Sequence, residues 1–199
     1  MKPLGAHAGR AFVLRRTPYG EADWIVQLLT SAGGRISLLA RGARKSVKRF
    51  GGGVLEPTHL VRFIHRESRQ SGGLGVLVEA DLVDAFEGLR EDFDRLSLAL
   101  EVVDAVRRVA QEDDVQNQSL FDLLGNSLSA LSKTGDSLSF RLHFYLRLLH
   151  QQGVLEVEEW MHPWLRRSIL QGQESLVGPS RMQFEIFETL IQAHLRHHL

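Results

Sequence analysis

The 199-residue chain is 43% hydrophobic, holds 24 Lys plus Arg against 24 Asp plus Glu, and contains no cysteine. It is too rich in Leu, Val, Ile and Phe to be disordered, and the lack of cysteine excludes a disulfide framework, a thiolate nucleophile and Cys-ligated zinc. The zero net charge hides an opposition, because residues 1–80 carry 13 basic and 5 acidic side chains (net +8) and residues 81–199 carry 11 and 19 (net −8). Such an asymmetry points to one half meeting a polyanion.

The first ten residues hold one Lys and one Arg but no apolar core of a secretory leader. No run approaches the roughly 18–20 apolar residues of a membrane span, so the chain reads as soluble and cytoplasmic, with no membrane partner. Residues 11–84 alternate with a period of two and are broken by glycine-rich turns, which predicts five strands: Ala11–Thr17, Asp23–Thr30, Arg35–Gly42, Leu55–Arg66 and Leu74–Ala85. The breaks are Pro18-Tyr19-Gly20, Ser31-Ala32-Gly33-Gly34, Gly51-Gly52-Gly53 and Ser71-Gly72-Gly73. In the second strand both faces are apolar enough to be covered, as at a barrel seam. The third sets Ile36, Leu38 and Ala40 against Arg35, Ser37, Leu39 and Arg41, which makes its outer face partly basic.

After Gly88 the period changes to that of a helix. Leu89, Phe93, Leu96, Leu100, Val103 and Val106 form one stripe on a helix of about 22 residues. Leu120, Leu124, Leu128 and Leu131 mark a second helix. A third follows Asp136 as N-cap, carries Leu138, Leu142, Tyr145, Leu146 and Leu149, and ends at Gly153. A fourth runs from about Pro163 to Leu170. Ser180 with Gln183 three residues later is a capping box, and Phe184, Phe187, Ile191 and Leu195 form the stripe of the last helix.

Strands followed by helices argue for segregated α+β organisation rather than alternating units. The predicted domains are a barrel over 1–86 and an all-helical domain over 87–199. A five-stranded, glycine-cornered, partly basic unit of this size fits an OB-fold barrel, with an SH3-like barrel as the competitor.

The strongest chemical signal lies between Arg35 and Gly53, where Arg35, Arg41, Arg44, Lys45, Lys48 and Arg49 occur with no acidic residue. Like charges crowded on a strand end and a Gly-flanked loop repel one another unless a polyanion neutralises them, and a phosphate backbone fits without base readout. A solvated basic loop is the plainer reading, but Arg15, Arg16, Arg62, Arg66 and Arg69 on other strands favour binding. The rings available for base stacking are Tyr19, Trp24, Phe50 and Phe63. Trp24 and Phe63 sit in apolar strand patterns and read as core, whereas Phe50 is balanced between stacking and packing.

Enzyme signatures are weak. Gly42-Ala43-Arg44-Lys45-Ser46 lacks the glycine that a phosphate-binding P-loop needs immediately before its lysine. The carboxylate pairs Asp113/Asp114 and Glu158/Glu159 read as solvated. His194 and His198 stand one turn apart, but Leu195 and Arg196 occupy the positions where a zinc-protease helix would need glutamate, and a solvated tail is favoured. His143 and His150 read as packing or snorkelling residues. No cofactor, metal or catalytic residue is expected.

The run Tyr19-Gly20-Glu21-Ala22-Asp23 leading to Leu28-Leu29-Thr30 resembles the start of the RecO family, together with Gly34-Arg35-Ile36-Ser37, Ala40-Arg41-Gly42-Ala43-Arg44 and Leu55-Glu56-Pro57. The resemblance continues through Leu82-Val83-Asp84-Ala85-Phe86 and Leu89-Arg90 and covers roughly residues 10–155. It implies an OB-fold followed by a helical domain, and a bacterial, nucleoid-associated recombination mediator that is not an enzyme. Such a protein binds single- and double-stranded DNA, anneals strands coated by single-stranded DNA-binding protein, and acts with RecR to help load RecA. The family's DNA-contacting cations lie on the barrel, which carries the role over to Arg35, Arg41, Arg44, Lys45, Lys48 and Arg49. A site for the acidic, Phe-ended tail of single-stranded DNA-binding protein needs an apolar pocket beside a cation, and Arg141, Phe144, Arg147 and Leu148 are placed in it. Many relatives carry a four-cysteine zinc site after the third helix, and residues 156–179 contain no cysteine. An OB-fold RNA-binding module and a metal-dependent nuclease are the alternatives.

Overall fold

The computed structural model describes residues 6–32, 34–46, 48–68, 73–112, 118–133, 137–172 and 176–196. Ser71, Gly72, Arg69, the Asp113/Asp114 pair, the expected N-cap Asp136 and His197 and His198 lie outside them. The chain divides into two compact units, one taking in Met1–Phe86 with Ala110–Phe121 and the other Glu87–Val109 with Asp122–Leu199.

The first unit contains β1 (Ala6–Tyr19), β2 (Asp23–Thr30), β3 (Gly34–Ala40), β4 (Leu60–Arg66) and β5 (Gly75–Asp84). They close in the order β1-β2-β3-β5-β4, with β4 returning to β1. Every pairing is antiparallel except the short parallel join of β3 to β5, at Leu38↔Gly75 and Leu39↔Val76. This is the OB-fold barrel expected from the sequence. Alternation drives it, because Val13, Val26, Leu28, Leu38, Val61 and Leu77 point inward and are buried in one core. The second face of β2 is covered as well. Leu29 pairs with Phe12, and the Phe12 ring lies 4.8 Å from that of Phe121 and 6.3 Å from that of Phe86.

Two differences from the sequence reading have local causes. β1 begins five residues earlier than Ala11, because Ala6–Arg10 continue the ladder against β4. β4 begins at Leu60 rather than Leu55, since Thr58 adopts a left-handed φ of 82° that an extended run cannot contain. Val54 and Leu55 instead turn into the barrel core behind a 3-10 turn at Gly51–Gly53. At the closing seam Gly75 is required by crowding: a Cβ there would stand 2.9 Å from both the Arg66 carbonyl oxygen and Leu38 Cδ2.

The second unit is helical, with α1 (Phe93–Val109), most of α2 (Gln118–Leu131), α3 (Ser137–Gln151), α4 (His162–Arg166) and α5 (Arg181–Arg196). α1 packs on α3 and α5, and α3 packs on α4. Leu124, Leu128, Phe140, Phe144, Leu146 and Trp164 are almost wholly buried. The first helix is shorter than expected because Asp92 caps it, its carboxylate accepting the Arg95 backbone N–H at 2.9 Å. Glu87–Glu91 form a separate 3-10 turn, so the apolar phase is not continuous across the break. Phe93 and Leu100 therefore face solvent and Leu98, Ala99 and Val102 are buried in their place, while Leu89, Val103 and Val106 of the expected stripe are buried. The fourth helix stops at Arg166 rather than Leu170. The capping box of α5 is present: Ser180 N–H donates to Gln183 Oε1 at 3.0 Å, and Gln183 N–H donates to Ser180 Oγ at 3.4 Å. Among the described residues, no helix is long and apolar enough to cross a membrane.

Candidate nucleic-acid interface

The basic segment leaves β3 through Gly42, whose φ of 66° suits a residue without a Cβ. Gly42 N–H donates to Asp23 Oδ1 at 2.7 Å, and Arg44 N–H donates to the Ala22 carbonyl at 2.9 Å, fastening the start of the turn to the head of β2. Its far end is held by Ala80 N–H of β5 donating to the Arg49 carbonyl at 3.4 Å. Ala43 and Phe50, each next to one of these ties, enter the barrel core. Burial of two apolar side chains with the charged ones turned out gives a shaped turn rather than a loose one.

Five of the six cations expected to contact DNA are exposed: Arg41, Arg44, Lys45, Lys48 and Arg49. Arg44 reaches the Gly20 and Glu21 carbonyls at 3.5 and 3.3 Å and lies 5.7 Å from the Trp24 ring. Arg49 donates to the Arg41 carbonyl at 2.9 Å and lies 5.3 Å from the Phe50 ring. These contacts are with neutral groups, so among the described residues neither guanidinium charge is compensated. The sixth, Arg35, is half-buried on β3, where its N–H donates to the Gln111 carbonyl at 2.9 Å. It stands apart from the exposed turn in its surroundings. Of the candidate rings, Phe50 and Phe63 are buried, Trp24 packs against the core beneath Arg16 and Arg44, and Tyr19 is 53% exposed. Phe50 is therefore a core residue and not a stacking platform.

Past Val76, β5 separates from β3 and leaves a cleft of about 700 Å³. Its walls include Arg41, Arg49 and Arg66, and its floor includes Leu74, Val76 and Val78, which alternate with inward Leu77 on β5. Glu67 also lines the cleft and lies 3.3 Å from His7. His65, next to Arg66, is held below the ordinary histidine range by burial first and by His7 second, against an opposing pull from Glu67. The sequence reading included Arg66 only among supporting cations and missed this floor. Its signal was the apolar repeat at Leu74, Val76 and Val78 on one face of the strand.

The residues expected to seat a partner tail are placed differently. Phe144 and Leu148 have no exposed surface. Arg141 Nε donates to Glu101 at 2.7 Å, its other nitrogens hold Glu188, and Tyr145 OH donates to Glu101 at 2.9 Å. Burial works against the Arg141 cation, but the hydrogen bond to Glu188 and the charge of Glu101 outweigh it and raise its pKa. Arg147 donates to His143 Nε2 at 3.1 Å and to the Leu165 and Arg167 carbonyls, and burial lowers its pKa. The four residues thus bind α3 into its own unit and form no apolar pocket with a cation at its mouth. Among the described residues no group of three His, Asp or Glu side chains is placed to hold a metal ion.

A family model described as Recombination protein O N terminal matches residues 5–86, and one described as Recombination protein O C terminal matches residues 90–155. The chain is 36% identical over 149 residues to the DNA repair protein RecO of Syntrophobacter fumaroxidans, covering 75% of this chain and 58% of that protein. It is 35% identical over 145 residues to the RecO of Desulfatibacillum aliphaticivorans, covering 72% and 55%. The RecO of Anaeromyxobacter dehalogenans strain 2CP-C is 38% identical over 143 residues, again covering 72% and 55%. The match thus spans little more than half the length of these curated relatives.

Proposed function

Because the chain belongs to the RecO family, we propose that it acts in recombinational DNA repair as a binding protein that makes and breaks no covalent bond. Its task is to hold phosphate backbones on the barrel while complementary strands meet. The observation that carries this reading is the exposed turn, where Arg41, Arg44, Lys45, Lys48 and Arg49 project from a segment tied at both ends to the barrel. Cations that lack a protein counter-charge are set to displace the counterions of a nucleic acid. Exposed Arg15 and Arg62 enlarge the basic surface. The turn reads no base sequence, which suits a protein that must accept any two complementary strands.

On this reading the mediator works on strands coated by single-stranded DNA-binding protein and cooperates with RecR in loading RecA, in the cytoplasm at the nucleoid. Phe144 and Leu148 are buried, and this reading assigns the acidic partner tail no residues on α3.

The test is electrostatic. If about six cations touch a single strand, log affinity falls against log salt with a slope near −4, roughly 0.7 for each contact. Changing Arg44, Lys45, Lys48 and Arg49 together to Ala should flatten that slope by about 3 and slow annealing of complementary strands precoated with the cognate single-strand binder. An unchanged slope in the fourfold variant refutes the turn as the contact surface.

A further inference from the structure

We infer that the cleft at the β3–β5–β4 seam receives an unpaired stretch of a DNA strand, seating its bases on Leu74, Val76 and Val78 with its phosphates along Arg41, Arg49 and Arg66. The inference rests on the DNA-binding reading of the barrel and adds to it a part of the surface that distinguishes single strands from duplex.

The backbone makes the cleft. β3 and β5 are joined at only two described register positions, Leu38↔Gly75 and Leu39↔Val76, and the seam opens beyond them. The basic turn bridges the opening further along, through the Ala80 N–H to Arg49 carbonyl hydrogen bond. Arg41 and Arg49 are thereby set on one side, and Arg66, paired in register with Val76, on the other.

The lining combines two chemistries that a duplex cannot use together. Val76 and Val78 are half-buried outward side chains, and Leu74 is 42% exposed, so the floor is an apolar strip in contact with water. The strip is rimmed by guanidinium groups, whose charge is partly offset by Glu67, which lies 3.3 Å from His7 Nε2. A base can lie on an apolar strip only when its flat faces are not stacked inside a helix, whereas the phosphates of any nucleic acid can meet the rim. Duplex DNA would engage the exposed turn and leave the floor empty. A single strand would engage both.

The consequence for annealing is directional. A strand held by its bases in the cleft and by its phosphates on the turn is bound more tightly than the duplex it forms, so pairing releases the product from the floor.

The experiment compares three probes of equal phosphate count: an oligothymidine strand, an abasic strand and a duplex. With the wild-type chain, the oligothymidine should bind about tenfold more tightly than the abasic strand, as burial of base faces on aliphatic side chains would give. The double substitution Val76→Ser with Val78→Ser should abolish that difference and leave duplex affinity within about twofold. Arg66→Ala, at an exposed position where folding is not at stake, should reduce the single-strand salt slope by about 0.7. Equal affinity for the abasic and base-bearing strands, or an Arg66→Ala slope matching wild type, overturns the cleft. If the fourfold turn variant still loses DNA binding in that case, the wider reading stands and only the cleft is lost. Loss of binding to all three probes in the valine variant also refutes the selective role, provided its thermal unfolding matches wild type.

Discussion

The barrel and the helical unit both present arginines along regular elements, yet they use them in opposite ways. On the barrel, Arg41, Arg44 and Arg49 are exposed, and among the described residues the Arg44 and Arg49 guanidinium groups meet carbonyls and ring faces. In the helical unit, Arg107 and Arg108 clamp Asp104 at 2.7 Å, Arg141 joins Glu101 and Glu188, and Arg147 binds His143 and two carbonyls. A guanidinium facing a carboxylate across a helix interface is already neutralised and is spent on holding that interface. One facing water beside other cations retains its field for a ligand. The net charges of the two halves therefore understate the contrast, because the barrel's positive charge is available and much of the helical unit's is not.

The largest expected effect tests whether the helical polar cluster is structural. His143 has no exposed surface, stands edge-on to Trp164 with ring centroids 5.7 Å apart, and accepts the Arg147 Nε–H on Nε2, which requires the neutral imidazole. Burial first and the Arg147 cation second push it down to about 4. The unfolded chain takes up this proton near pH 6.5, so the stabilisation is complete above that value and lost as pH falls towards 4. The loss is on the order of 3 kcal/mol. Hydrogen-exchange protection of the α3 amides should weaken across this window in the wild type and less so in His143→Gln, whose amide oxygen still accepts from Arg147. Parallel profiles in the two proteins break the contrast, since they would make His143 irrelevant to the unit's stability.

Arg141 sharpens it. Removing the side chain in Arg141→Ala leaves Glu101 and Glu188 without the cation between them and should cost about 2 kcal/mol. Arg141→Lys should recover part of that, since an ammonium keeps the charge but cannot make the forked contact. Thermal unfolding reads the stability, and the DNA salt slope should match wild type for both variants. A flattened slope would show that Arg141 belongs with the ligand-facing cations.

How far these roles were legible in the sequence follows from the distance over which each is decided. The barrel was legible because alternation and glycine breaks are local signals, and its strands appear within a few residues of their expected places. The start of β1 was missed because Ala6–Gly9 gain strand structure only from β4, where a Cβ on Gly9 would sit 3.3 Å from the Phe63 ring. The cations of the turn were legible as charge, but their surroundings were not: Arg35 is half-buried on β3 while Arg41, six positions on, is exposed. Phe50 stayed balanced between stacking and packing in the sequence because its neighbours are Arg49 and glycine, whereas the turn folds it into the core. Arg141 looked available because its own helix holds no acidic residue, and the carboxylates that hold it come from positions 40 and 47 residues away. Pairing across such separations leaves no trace in a local pattern.

The smallest expected effect asks whether the barrel's cations work as a shaped group or as a loose sum of charges. Gly42→Ala changes no charge. It places a Cβ at a φ of 66°, 3.6 Å from an Arg49 guanidinium nitrogen, and a left-handed alanine costs about 1 kcal/mol. If the turn relaxes to relieve that strain, the Gly42 N–H to Asp23 and Arg44 N–H to Ala22 ties loosen, and the exposed cations spread. Single-strand affinity should then fall about threefold while the salt slope stays near its wild-type value, because the number of contacts is kept and only their preorganisation is lost. Unchanged affinity would mean that charge alone suffices on the barrel, and that the fixed turn geometry contributes nothing to binding.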